Sequence, residues 1–183
     1  MPFSTDETNK HYKNMRTLFT IFLFCVTANT FSQTQSDKFE YTEVGLNKNV
    51  VVEIPSKTKE EIFTKTMNWV KETWTNPDAV LKMKIDNEKI RVGAIAKDII
   101  KVKGYPFSLN YVIEISFKDN KYKFEIVSLT TENTADYLNL PNFKTDKRMI
   151  KNFGNTPTDI ENYFNSLNQK LKNYILGTAE EKW

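Results

Sequence analysis

The sequence predicts an α+β domain in which one twisted antiparallel sheet carries two helices on a single face, in the order β-α-β-β-β-β-α. Three observations lead there. From Phe107 to Phe117 an apolar residue occupies every odd position, the period-two signature of a half-buried strand, and Tyr122, Phe124 and Ile126 resume the alternation after Lys118-Asp119-Asn120-Lys121. Two longer stretches, 58–74 and 158–175, set apolar residues at helical spacing behind a Thr-x-x-Glu pair. Four consecutive strands joined by short turns, with no internal repeat, pack most simply as one antiparallel sheet whose apolar face receives both helices.

Taken in order, the segment from Phe39 to Val44 alternates weakly and Val50 to Ile54 is rich in β-branched residues. This gives a first strand, broken around Gly45 to Asn49 and ended by Pro55. Thr58 and Glu61 form a capping box, in which hydroxyl and carboxylate each satisfy an orphan backbone donor. Behind it Phe63, Met67, Val70 and Trp74 make one stripe, flanked by Ile62 and Trp69, until Asn76-Pro77 stops the helix. Leu81, Met83 and Ile85 alternate into a polar turn, and Ile90, Val92 and Ala94 alternate out of it. A two-residue turn at Asn87-Glu88 would pair Ile85 with Ile90 and Met83 with Val92. The stretch from Ile95 to Val102 continues that strand through a bulge near Lys97-Asp98, where the apolar phase slips.

Gly104-Tyr105-Pro106 turns the chain into the central hairpin. There Asp119-Asn120, as a two-residue turn, sets Phe117 opposite Tyr122, Ile115 opposite Phe124 and Ile113 opposite Ile126. From Thr131 to Pro157 the pattern lapses. Tyr137, Leu138, Leu140, Phe143, Met149, Ile150 and Phe153 are nevertheless too many apolar groups to leave in water, so residues 131–157 are expected to be an ordered loop packed on the domain or on a partner. A second capping box, Thr158 and Glu161, opens the last helix. Its stripe of Ile160, Phe164, Leu167, Leu171, Tyr174 and Ile175 ends at Gly177, where a C-cap glycine belongs.

A length of 183 residues, 39% hydrophobic and 27% charged, fits one globular domain, and a formal charge of +3 is too small to imply a polyanionic partner by itself. The N-terminus says more. Lys10, Lys13 and Arg16 precede an apolar run from Leu18 to Ala28, of signal-peptide length and short of a membrane span. Thr30-Phe31-Ser32 supplies small residues where a signal peptidase looks. Residues 1–32 are therefore expected to be a signal peptide and 33–183 the mature domain, with Met15 the more natural initiator. A retained signal anchor is the alternative. Lipoprotein processing at Cys25 is disfavoured by the bulky Phe24 before it. Cleavage would leave no transmembrane anchor and send the protein through the Sec pathway to the periplasm, cell surface or medium.

Export would also remove the only His, His11, and the only Cys, Cys25. The mature chain then has no Cys or His nucleophile system, no Ser-His-Asp triad, no zinc site of the usual Cys/His type and no disulfide, and no cofactor is expected. Residues 33–183 carry 23 basic against 21 acidic side chains, a formal +2.

The element order, the segment Thr58-Lys-Glu-Glu-Ile-Phe-Thr-Lys-Thr-Met-Asn-Trp69 and the hairpin Phe117-Lys-Asp-Asn-Lys-Tyr-Lys-Phe124 together resemble an exported Bacteroidota family, domain of unknown function 4468. The resemblance covers Tyr41 to Thr131 and extends to the last helix. It implies a TATA-binding-protein-like (TBP-like) fold and an exported location, and brings no catalytic residues with it. The family usually has Gly in the hairpin turn where this chain has Asn120, a residue that also tolerates positive φ.

Four groups of residues are candidate sites. The hairpin register sets Glu114 opposite Glu125 on the non-core face, close enough for the paired carboxyls of a retaining glycosidase, or else a surface pair neutralised by lysines. Ser56 and Lys59 match the spacing of Ser-Lys acyltransferases, but no Lys-Thr-Gly or Ser-Asp-Asn partner exists, which favours turn chemistry. Lys82, Lys84, Arg91, Lys118, Lys121 and Lys123 project from the non-core face. They make either a solvated basic surface or a site for an anionic envelope ligand, for which Lys82, Lys84, Arg91 and Lys123 are the leading candidates. Nucleic acid is an unsuitable partner, because a saddle-shaped DNA reader needs aromatic wedges on that face and here the aromatics point the other way. Trp69 and Trp74 either fill the core or line a cleft for an apolar ligand. The overall expectation is a non-catalytic binding or interaction module of the cell envelope. The alternatives are a glycan-directed hydrolase using Glu114 and Glu125, and a carrier of a small apolar ligand.

Overall fold

The computed structural model describes residues 37–131 and 137–178, so the expected signal peptide at 1–32 lies outside the described residues. In chain order the strands are β1 (Tyr41–Thr42), β2 (Gly45–Leu46), β3 (Asn49–Glu53), β4 (Leu81–Ile85), β5 (Lys89–Val102), β6 (Tyr105–Lys118) and β7 (Lys121–Thr130). The helices are α1 (Lys59–Thr73), the single turn α2 (Pro77–Val80), α3 (Lys147–Phe153) and α4 (Thr156–Leu176), with a 3-10 turn at Tyr137–Asn139. β3 to β7 form one antiparallel sheet in the order β3-β7-β6-β5-β4, and β1 with β2 makes a small separate ribbon. The expected first strand is thus three short pieces, separated by a turn at Glu43-Val44 and by Asn47-Lys48, and only β3 joins the main sheet.

The central hairpin has the register its turn chemistry demands. Phe117 faces Tyr122, Ile115 faces Phe124 and Ile113 faces Ile126, with Asn120 at a φ of 62° in the turn. All six side chains are buried on the face that receives α1 and α4, which also pack on each other, so both helices lie on one side of the sheet. Burying each such side chain is worth about 1.5–3 kcal/mol, enough to fix the register. Beyond Val112 the pairing shifts and Val127 becomes the extra residue of a bulge. A second shift between Ala96 and Ile100 falls where the apolar phase slips, with Asp98 at a φ of 59°.

Three local expectations are corrected. The β4–β5 turn uses three residues, Asp86 to Glu88, rather than two, so Ile85 pairs with Lys89, Lys84 with Ile90 and Met83 with Arg91. The cause is Glu88, whose N–H donates to the Ile85 carbonyl while its own carbonyl accepts from Phe117 N–H, extending the β5–β6 ladder into the turn. A one-residue slip exchanges the faces of a strand. Ile85 leaves the core and Lys84 shares the helix-side face with Ile90. Next, the β5–β6 turn is Lys103-Gly104 rather than Gly104-Tyr105-Pro106. Lys103 and Gly104 have φ of 49° and 86°, the left-handed pair of a two-residue hairpin, and Tyr105 already faces Val102.

The second capping box is also absent. The N-cap of helix α4 is Asn155, three residues earlier than Thr158, and no side chain caps the helix there. Thr156 instead donates its hydroxyl to the Lys101 carbonyl and accepts from Lys101 N–H, stitching the helix start to β5. Glu161 accepts from the Tyr41 N–H at 2.7 Å and from the Lys144 ammonium at 2.7 and 3.0 Å. The capping box at Thr58 and Glu61 is present as expected, and Gly177 ends α4 with a left-handed φ of 74°.

The connection between β7 and α4 folds back on the domain. Leu138, Phe143 and Phe153 are buried, Phe143 packs tilted against Tyr41 and edge to face against Phe153, and Tyr41 donates its hydroxyl to the Leu138 carbonyl. Among the described residues no helix is long and apolar enough to cross a membrane.

Candidate functional site: the open face of the sheet

Helices cover one face of the sheet, and the pairing registers lay out the other as rows. One row runs Val51, Lys123, Ser116, Lys89; the next runs Asn49, Glu125, Glu114, Arg91, Met83; at the hairpin tip stand Glu53, Lys121 and Lys118. Glu114 and Glu125 do face each other, as the hairpin register requires. Each is nonetheless bound to its own cation. Arg91 donates Nε at 3.1 Å and Nη2 at 2.6 Å to one Glu114 oxygen, and Lys89 reaches the other at 3.5 Å. Lys123 donates to Glu125. Partial burial pushes the Glu114 carboxyl up, but the Arg91 hydrogen bonds and the Lys89 charge more than offset this and hold it below the usual carboxylate range.

The four leading basic candidates do not converge on one point. Lys82 lies over Gly93 and donates to the Ala79 carbonyl at 2.7 Å, and Lys84 pairs with Asp86 at 2.9 Å on the helix-side face. Placing Lys84 on the open face is therefore corrected, for the reason already given by the β4–β5 register. Arg91 is committed to Glu114. Of these four only Lys123 lines the cavity of about 490 Å³ at the hairpin end of this face, where it joins Lys118, Lys121, Ser116 and Val51. Lys121 approaches Glu53 at 3.9 Å, and among the described residues Lys118 has no carboxylate partner.

Hydrogen bonds anchor the turn at this cavity. Asp119 accepts the Lys59 N–H at the start of α1, Asn120 N–H donates to the Lys57 carbonyl, and Ile54 N–H donates to the Asn120 carbonyl. The turn is thereby tied on both sides, with the Asp119 carboxylate at the positive end of α1. The sequence places Lys118, Lys121 and Ser116 on this face of one hairpin, but their meeting with Val51 depends on β3 pairing with β7, a contact between distant parts of the chain. Two lysines flanking the turn were the available signal.

The other candidates resolve as packing. Ser56 sits in a turn at a φ of 61°, and the Lys59 ammonium lies 4.0 Å from Glu60. Trp69 is buried and meets Trp74 edge to face at 5.2 Å, filling the space between helices and sheet. A second, shallower cavity of about 380 Å³ lies beside the β5 bulge, between Asp98 and Tyr163.

Comparison with known proteins bears on the fold. Residues 49–132 match the family model described as a domain of unknown function (DUF4468) with TBP-like fold. This chain resembles the DUF4468 family. The matched segment runs from the first residue of β3 to just past β7, so it contains the whole five-stranded sheet and α1. A DUF4468 family protein from Bacteroides ovatus ATCC 8483 superposes with a TM-score of 0.53 at 11% identity, covering 79% of this chain and 94% of its own. A TBP-like protein from Parabacteroides distasonis ATCC 8503 gives 0.49 at 17% identity, over 72% of this chain and 92% of its own. At such identity the Bacteroides ovatus likeness establishes the fold alone. No curated protein matches the chain.

Proposed function

We propose that this DUF4468-like domain is a non-catalytic binding module of the cell envelope, exported by the Sec pathway, that engages an anionic partner through the open face of its sheet. The observation that carries the reading is the lysine-lined cavity of about 490 Å³ on that face, a volume in the range of small-ligand sites. Other features support it. A retaining glycosidase needs one carboxyl kept protonated as a general acid, whereas the Glu114 carboxyl is held below its ordinary range by Arg91 and Lys89. Phe117, Tyr122 and Phe124 are turned inward, away from the face a minor-groove reader would use as a wedge. Export is supported by the basic and then apolar pattern of residues 10–28.

The test is retention of the full-length chain on immobilised dextran sulfate and on neutral dextran. Retention on the sulfated matrix should fall steeply as salt rises, and K118E/K121E/K123E should pass through unretarded. Equal retention of wild type and variant, or retention indifferent to salt, would overturn the reading. Mass spectrometry of a periplasmic fraction should find a chain beginning at Gln33; a chain found only in the cytoplasm would remove its envelope part.

A further inference from the structure

The cations of the open face are not equivalent. Arg91, Lys89 and Lys123 are spent on Glu114 and Glu125, and Lys82 on a backbone carbonyl. Lys118 and Lys121 are left at the tip, directly opposite one another as the closing pair of the β6–β7 hairpin. Facing like charges oppose strand pairing unless something neutralises them. Among the described residues the one carboxylate within 4 Å of either ammonium group is Glu53, exposed and 3.9 Å from Lys121. The turn that carries them is pinned to the start of α1 through Asp119 and Asn120, so the two ammonium groups stand on a fixed base above a cavity.

We infer that this cavity binds the phosphomonoester group of a ligand between Lys118 and Lys121. The inference rests on the proposed reading of the open face as an anion-binding surface and names the ligand chemistry. A phosphomonoester carries close to two negative charges at neutral pH and presents three strong acceptor oxygens, matching two compact ammonium donors. Ser116 adds a hydroxyl donor, and Lys123, paired with Glu125, lines the edge of the cavity. Val51 adds an apolar patch to the cavity wall. A monocarboxylate would neutralise only one of the facing pair.

The ester could be a soluble phosphorylated sugar or a phospholipid headgroup. The full-length chain would be titrated at low ionic strength with glucose 1-phosphate, glucose and sodium sulfate while backbone amide shifts are followed by NMR. In a second arm, sedimentation would use phosphatidylcholine vesicles with and without phosphatidic acid. Saturable binding of glucose 1-phosphate, with shifts centred on residues 116–123, supports the inference with a soluble source. Binding confined to phosphatidic acid vesicles supports it with a lipid source. In either case K118A/K121A should bind about tenfold more weakly, and K118R/K121R should restore most of the affinity. The alanine variant removes a repulsion between exposed groups, so its urea midpoint should not fall, which separates lost binding from lost folding. Sulfate matching glucose 1-phosphate, no saturable binding in either arm, or undiminished affinity in K118A/K121A would each overturn the inference. Should dextran sulfate retention persist while both phosphate arms fail, the inference falls and the anion-binding reading stands; should retention fail too, both fall.

Discussion

Replacing Glu161 with Ala tests whether its carboxylate is a tertiary fastener rather than a local helix cap. The Glu161 side chain is nearly buried, accepts the Tyr41 N–H and holds Lys144, so it ties α4 to β1 and to the connection after β7. Truncation strips the acceptor from a buried backbone donor, a charged hydrogen bond worth about 1.5–3 kcal/mol. The Lys144 side chain is 44% exposed and its ion pair adds at most about 1 kcal/mol. The expected loss is about 2–3 kcal/mol, or a fall in Tm of about 5–10 °C for a domain of this size. Glu161→Gln keeps an acceptor for Tyr41 and should lose only about 1 kcal/mol. Thr158→Ala is the decisive control. Thr158 lies inside the first turn and its hydroxyl makes no hydrogen bond among the described residues, so its loss should cost under about 0.5 kcal/mol. Urea unfolding of the three variants, followed by tryptophan fluorescence, measures these differences. If Thr158→Ala costs as much as Glu161→Ala, the side chains cap the helix after all and the fastener account is wrong.

The remaining predictions concern pH. Glu114 in the folded chain is held below its unfolded value, so its contribution is present above the ordinary carboxylate range and disappears as pH falls through the folded value. Urea midpoints of wild type and Glu114→Gln should therefore differ at pH 7 and converge in acid; a gap that widens on acidification would contradict the Arg91 and Lys89 assignment. Burial pushes the hydroxyls of Tyr41, Tyr111 and Tyr122 well above the ordinary phenolic range, and burial with the Glu72 hydrogen bond pushes Tyr174 up to about 12. Raised folded values mean stability that is complete below about pH 10, the unfolded tyrosine value, and is lost as pH rises above it. Tyrosinate absorbance should thus rise in a cooperative step that coincides with loss of circular dichroism, whereas a smooth rise with intact dichroism would show these hydroxyls to be exposed.

Much of the fold was legible because the signals were local. Alternation between Phe107 and Ile126 with a two-residue turn dictates register, since a slip of one would expose six apolar side chains. The Thr58 and Glu61 box lies within one helical turn, and Gly177 needs only its own backbone to end α4. The facing of Glu114 and Glu125 follows from the same hairpin. The misreadings arose where a local motif competed with a distant partner. Glu161 has capping-box spacing, yet Tyr41 and Lys144 claim it. The turn after Ile85 looks like a two-residue loop, yet Phe117 draws the Glu88 carbonyl into the neighbouring ladder.

The sequence by itself determined the class, the order of the five sheet strands and the two long helices, the central register and the two-sided character of the sheet, because each follows from side-chain periodicity within a few residues. Which cations remain for a ligand was decided only by the tertiary structure. Charge identity is written in the chain, but whether a lysine is spent on a carboxylate depends on which strands become neighbours. Here the hairpin sets Lys118 opposite Lys121, and the pairing of β3 with β7 brings Val51 and Glu53 beside them to wall the cavity.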